Sequence, residues 1–199
     1  MKKEISDLRS AIDEQAQYTR RDCLEIRGVP VTTGEDTNVI VEKIGALIDV
    51  DINDTDISIS HRIPSSNDGA SGSTSFRHPA IAVKFTNRKN RDLFYKARSK
   101  LKSYNTSEIG LGRNGESNTF IQESLTEAKR NFFKSCLKFR KDQKYKFIWT
   151  YYGVIYLRRN EHTPTSRITS VRELEKLQPR QSTSESTSTT TTEVSSQPS

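Results

Sequence analysis

The sequence predicts an α+β protein, and three observations carry that expectation. Apolar residues alternate with period two over Leu24–Ile26, Ile57–Ile59 and Ile81–Phe85, and recur at spacings of three and four between those runs. The resulting order is strand, helix, strand, strand, helix, after which a separate helix and hairpin follow. Residues 181–199 hold 13 Ser or Thr and no apolar run able to build a core. Four segments result: a helix over 1–19, an α/β unit over 20–112, a helix-plus-hairpin unit over 120–177, and a disordered tail over 178–199.

Each element has a local reason. Ile5, Leu8 and Ile12 form a narrow stripe that suits a coiled-coil seam, hence a homo-oligomer; an ordinary helix packed on the next unit is the alternative. CLEIRGV, residues 23–29, reads as a strand with Leu24 and Ile26 inward. Asp36 or Thr37 caps a helix that buries Ile40, Ile44, Leu47 and Ile48. Ile57–Ser60 alternates until Pro64, and the Ser/Gly/Asn stretch 65–79 is a flexible loop. Ala80–Phe85 is the next strand. Asn87 caps a helix to about Leu101, with Leu93, Phe94, Ala97 and Leu101 inward. A fourth strand is expected in the weak stretch near 104–112.

In the second unit, Ser124–Glu127 has the pattern of a capping box, which places Ser124 at a helix start. That helix runs to about Lys141, with Phe132, Phe133, Cys136, Leu137 and Phe139 as its apolar set. Residues 145–151 and 154–158 form a hairpin that turns at Tyr152-Gly153. A short strand near Ile168 and a short helix over 172–177 complete the unit.

Composition narrows the function. Of 199 residues, 32% are hydrophobic, a thin core for that length. No run of about 18 apolar residues exists to span a membrane, and Met1 is followed by charges rather than a secretory leader. Cys23 and Cys136 are too few for a disulfide scaffold, so reduced thiols in an intracellular protein are expected. Asp49, Asp51, Asn53 and Asp54 crowd together, yet a calcium loop from Asp49 fails at its sixth and twelfth positions, Asp54 and Ser60. His61, His78 and His162 share no metal-ligand spacing, and no phosphate loop or nucleophile elbow is present. A non-enzymatic protein without metal or cofactor is expected.

Charge is the most informative property. Residues 1–83 carry 9 Lys/Arg against 14 Asp/Glu, whereas residues 84–159 carry 19 against 6. The second stretch points to an anionic partner, of which single-stranded RNA or DNA is the leading candidate. Eight Lys/Arg fall within the 18 residues 129–146, and Arg130, Lys134, Lys138 and Lys141 make one helical stripe. The hairpin adds Trp149, Tyr151, Tyr152 and Tyr156 beside Arg158 and Arg159. Aromatics can stack on unpaired bases while cations hold phosphates. Phe147, Trp149 and Tyr151 alternate on one strand face, and simple core packing is the alternative reading of them, the preferred one for Trp149. Arg62, Lys84, Arg158 and Arg159 are further candidate phosphate contacts.

Arg20–Pro30 (RRDCLEIRGVP), Ser60–Pro64 (SHRIP) and Ile81–Phe85 (IAVKF) ahead of the 88–98 helix resemble the RNA-binding protein encoded by the first reading frame of LINE-type retrotransposons. Glu123–Thr126, Trp149-Thr150 and Gly153–Arg159 (GVIYLRR) resemble its C-terminal domain, and equally that of the baculovirus few-polyhedra proteins. The motif order holds over residues 1–177. The resemblance implies a coiled coil, an RNA-recognition-motif-like domain and a small α/β domain. It also implies a homotrimer that binds single-stranded RNA as a nucleic-acid chaperone in ribonucleoprotein particles. On the few-polyhedra side it implies a structural factor acting through protein contacts. By position, Arg20 and Arg21 match the basic junction after the coil, Arg62 the basic end of the second strand, and Arg158 and Arg159 the basic end of the terminal hairpin. At the usual stacking positions of the first sheet stand Glu25, Ala80 and Ala82, so few stacking contacts are expected there.

Overall fold

Leu24 and Ile26 alternate with polar neighbours, and the chain uses that alternation to build a central strand between two partners. The structure, a computed structural model, describes residues 2–64, 78–104 and 118–177. Its elements are α1 (Lys2–Thr19), β1 (Cys23–Arg27), α2 (Thr37–Leu47), β2 (Ile57–Arg62), β3 (Ile81–Phe85), α3 (Arg88–Ala97), β4 (Phe120–Glu123), α4 (Glu127–Asp142), β5 (Phe147–Tyr151), β6 (Val154–Arg158), β7 (Ser166–Ile168) and α5 (Val171–Lys176). The first sheet is antiparallel in the order β2-β3-β1-β4, the second in the order β5-β6-β7. The first unit thus has the β-α-β-β-α-β connectivity of a recognition-motif-like domain.

The first core joins Leu24, Ile26, Ile81, Val83 and Phe85 of the sheet to Ile40, Val41 and Ile44 of α2 and Phe94 of α3. Asp36 is the cap of α2 and accepts the Asn38 amide; Asn87 does the same for α3 at Lys89. The second core is smaller: Cys136 and Phe139 of α4 pack on Ile155, Leu157 and Ile168, with Leu174 of α5 closing one end. No helix among the described residues is long and apolar enough to cross a membrane.

Several expectations are corrected. The fourth strand of the first sheet is Phe120–Glu123; the stretch near 104–112 where one was expected lies, from residue 105 on, outside the described residues. The first unit therefore reaches into the stretch assigned to the second. Ile59 is exposed, because a register shift between Ile57 and Ile59 breaks the alternation and turns it to the outer face. Leu93 is exposed at 46%, and Arg91 is buried in its place at 1%. The helix-like stretch after Ala97 continues as a 3-10 segment, Arg98–Ser103, which buries Leu101. Ser124 is not the helix cap: Thr126 is, accepting the Lys129 amide. Most of the loop 65–79 and all of the tail 178–199 lie outside the described residues.

Ile5, Leu8 and Ile12 face solvent at 51%, 63% and 65% exposure. Among the described residues the end of α1 packs on the rest of the chain, through Gln17 and through a hydrogen bond between Tyr18 and Arg88.

Candidate nucleic-acid interface

The second unit is two layers, one helix layer on one sheet, so it has two outer faces. Cys136 and Phe139 turn one side of α4 to the sheet. At 3.6 residues per turn, Lys134, Lys138 and Lys141 then fall on the opposite side. All three are exposed, and none takes part in an ion pair among the described residues. The stripe is real as far as these three residues go. Arg130, expected to extend it, turns instead to the junction between the units. There its guanidinium donates to Glu25 Oε1 and to the Leu125 carbonyl, both at 3.3 Å.

The other outer face is that of the sheet. Ile155, Leu157 and Ile168 point to α4, so strand alternation sends Phe147 and Trp149 of β5, Tyr156 and Arg158 of β6 and Arg167 of β7 the other way. Trp149 pairs directly across from Tyr156, and the two rings stack, 15° from parallel with centroids 5.7 Å apart. Tyr156 in turn faces Arg167 across β7. The Arg158 guanidinium lies over the Phe147 ring at 5.0 Å, and its Nε is buried without an acceptor among the described residues. Arg159 is exposed and lies over Tyr145 at 5.2 Å. The core explanation of Trp149 is thereby corrected: it lies outside the core cluster of its unit, on the face away from α4. The basic residues read from the sequence as one surface occupy opposite faces.

The junction between the units consumes most of the buried polar groups. Glu25, at 1% exposure, takes hydrogen bonds from Arg27 and Gln122 at 2.9 Å and from Ser124 and Arg130 at 3.3 Å. Arg20 donates to the Ser124 hydroxyl at 3.2 Å. Gln17 donates to the Ser124 carbonyl at 3.0 Å and accepts the Thr126 amide at 2.9 Å. Arg21 lies over Tyr18 at 4.3 Å and over Tyr152 at 5.8 Å. Arg91 is ion-paired to Glu123 and donates to Asp92 at 2.9 Å. Burial opposes the Arg91 charge, while its bonds to Glu123 and Asp92 hold it, with the net effect of a raised pKa. Tyr152 has positive φ, 50°, costly for a bulky residue; its amide is held by Glu123 and its hydroxyl donates to Asp92 at 2.8 Å. Burial, then the Asp92 bond, push the Tyr152 phenol up to about 12.

Arg62 has a different role from the one its position suggested. Its Nε and Nη2 clasp Glu35 at 2.7 and 2.8 Å, and its remaining N–H groups reach the Val29, Pro30 and Pro79 carbonyls at 2.8 Å. All five donors are used within the fold, so none is left for a phosphate. The Arg62 bond keeps the Glu35 carboxyl below the usual carboxylate range. Lys84 is exposed on the face of the first sheet away from the helices, beside Cys23 in register. Glu25 and Ala82 pair on that same face, and it carries no aromatic side chain at those positions, as expected. Burial raises the Cys23 thiol and pushes Cys136 up to about 11, so neither resembles an activated nucleophile.

Arg167 and Gln17 were not singled out from the sequence, and Glu123 entered only as part of the Glu123–Thr126 resemblance, with no role given to it. Arg167 could have been found by extending the alternation of Ile168 one residue back; Gln17 and Glu123 depend on contacts between units and left no local signal. No curated protein matches the chain. Residues 126–178, from the cap of α4 through the end of α5, match the family model described as Baculovirus FP protein domain 2, so the second unit is similar to that domain, and the retrotransposon side of the resemblance gains no such support.

Proposed function

We propose that the protein is a sequence-tolerant single-stranded nucleic-acid binder, with a binding rather than a catalytic role. The observation that carries this reading is the disposition of charge in the second unit. Residues 126–177 hold 13 Lys and Arg against 5 Asp and Glu. Lys134, Lys138, Lys141, Arg159 and Arg167 point outward, and none is ion-paired among the described residues. The buried carboxylates Glu25 and Glu123 are engaged at the junction and do not neutralise those cations. Outward cations without partners gain most from phosphates, whose counterions are released on binding.

Electrophoretic retardation of a labelled oligonucleotide tests it. The reading expects the full chain to shift the strand at low salt. It also expects Lys134→Glu/Lys138→Glu/Lys141→Glu or Arg159→Glu/Arg167→Glu to weaken the shift at least tenfold. No shift by the unaltered chain contradicts it.

A second reading is a structural factor that acts through protein contacts. Two observations favour it: the similarity of residues 126–178 to the FP domain, and the exposed Ile5, Leu8 and Ile12 stripe on α1. That stripe suits self-association as a short coiled coil, which is compatible with either reading.

A further inference from the structure

We propose that Trp149 and Tyr156 form a base-stacking platform, so that the open face of β5-β6-β7 takes unpaired nucleobases while Arg158 and Arg167 hold the adjoining phosphates. The inference rests on the nucleic-acid reading and adds to it a site and a ligand class, the unpaired base.

The two rings stand half-buried on the sheet face away from α4, and Trp149 lines a cavity at the junction together with Tyr95 and Arg98 of the first unit. Large aromatics there forgo burial that the same residues would gain on the α4 side, where Ile148, Ile155 and Leu157 sit instead. Mutual stacking fixes their orientation, with planes within 15° of each other. A pre-stacked, rigid pair loses little entropy when a third ring is added. The cations are in register with the pair: Arg158 is opposite Phe147, two residues beyond Tyr156, and Arg167 is opposite Tyr156 itself. Arg158 keeps a buried Nε with no acceptor among the described residues, and Arg167 is exposed without an ion pair among them. Arg167 therefore has donor capacity that an anion would satisfy, and Arg158 stands beside it on the same face. The first sheet differs: the exposed aromatic of its outer face, Phe120, stands opposite Arg27 on the edge strand β4. Its outer face carries Glu25, already bonded to Arg27, Gln122, Ser124 and Arg130, and Ala82 beside it. In a duplex the base faces are covered by their neighbours, so a platform of this kind selects single strands.

Trp149 is the chain's single tryptophan, so its fluorescence reports on the platform alone. The full chain is titrated at fixed salt with a single-stranded oligodeoxynucleotide and with an abasic strand of the same length and charge. The platform predicts quenching of Trp149 by the base-bearing strand, and about tenfold or more tighter binding than to the abasic strand. Tyr156→Ala should remove that preference and Tyr156→Phe should keep it, with circular dichroism confirming that both fold. Equal affinities without quenching overturn the platform and leave the nucleic-acid reading standing. Failure of both strands to bind overturns the two together. If Tyr156→Ala does not fold, the abasic comparison on the unaltered chain decides.

Discussion

Glu123, the last residue of β4, holds the turn of the second sheet: its Oε2 accepts the Gly153 amide at 3.0 Å. The Tyr152 amide reaches its Oε1 at 2.7 Å, and buried Arg91 is ion-paired to that same oxygen. One carboxylate thus ties the final strand of one unit to the hairpin of the other.

Removing that carboxylate leaves the Arg91 charge buried with Asp92 as its remaining bonded acid, and orphans two turn amides. Glu123→Ala should lower stability by about 3–5 kcal/mol, the usual cost of stripping one partner from a buried pair. Urea unfolding measures it. A loss below about 1 kcal/mol would show that the junction is solvated rather than locked.

Gly153 has a φ of 74°, and a Cβ there would lie 2.5 Å from Gln17 Cγ. Gly153→Ala should therefore destabilise on two counts, backbone strain and collision with the end of α1, together by more than about 1 kcal/mol. Gln17→Ala alone removes two hydrogen bonds. In the double variant the collision disappears, so its cost should be less than the sum of the single costs; strict additivity in the cycle would mean that α1 does not dock at the turn.

Glu35 and Arg62 give a signed pH effect. The folded Glu35 pKa lies below its unfolded value, so the pair contributes stability above the unfolded carboxylate range, near pH 4.3, and loses it as pH falls through the folded pKa. The stability gap between the unaltered chain and Glu35→Gln should be widest at neutral pH and narrow below about pH 4. A gap independent of pH would contradict the assignment. Because Arg62 spends its donors inside the fold, Arg62→Lys should cost about 2 kcal/mol while leaving the affinity of folded protein for nucleic acid unchanged.

The exposed stripe of α1 predicts self-association. Light scattering should give a mass above that of one chain which falls on dilution, and Ile5→Asp/Ile12→Asp should give monomers, since a carboxylate in an apolar seam is costly. A single-chain mass at high concentration would leave those residues as a solvent-exposed helix face.

Most of the fold was legible because its signals are local. Ile81, Val83 and Phe85 alternate, Asp36 and Asn87 carry capping side chains, and Tyr152-Gly153 is a two-residue turn with positive φ at both positions. What misled was nonlocal. The bulge before Ile59 is set by pairing with β3, and the burial of Arg91 by an acid 32 residues later. Ser124 reads as a cap until Glu25, 99 residues earlier, claims its hydroxyl. The site was half legible. Lys134, Lys138 and Lys141 follow from helical spacing, but the sequence does not say that α4 and the sheet turn Lys134 and Arg167 to opposite faces. Nor does it say that Trp149 looks outward, since an aromatic on an alternating strand suits either side.

The central claim, that the outward cations of the second unit bind nucleic acid through its phosphates, is tested most directly by the salt dependence of oligonucleotide affinity. Each phosphate neutralised on a single strand adds about −0.7 to the slope of log affinity against log salt. Five or more contacts from the outward cations predict a slope steeper than about −3, which Lys134→Glu/Lys138→Glu/Lys141→Glu or Arg159→Glu/Arg167→Glu should flatten. A slope near zero, or one that neither charge-reversed variant changes, would contradict the account.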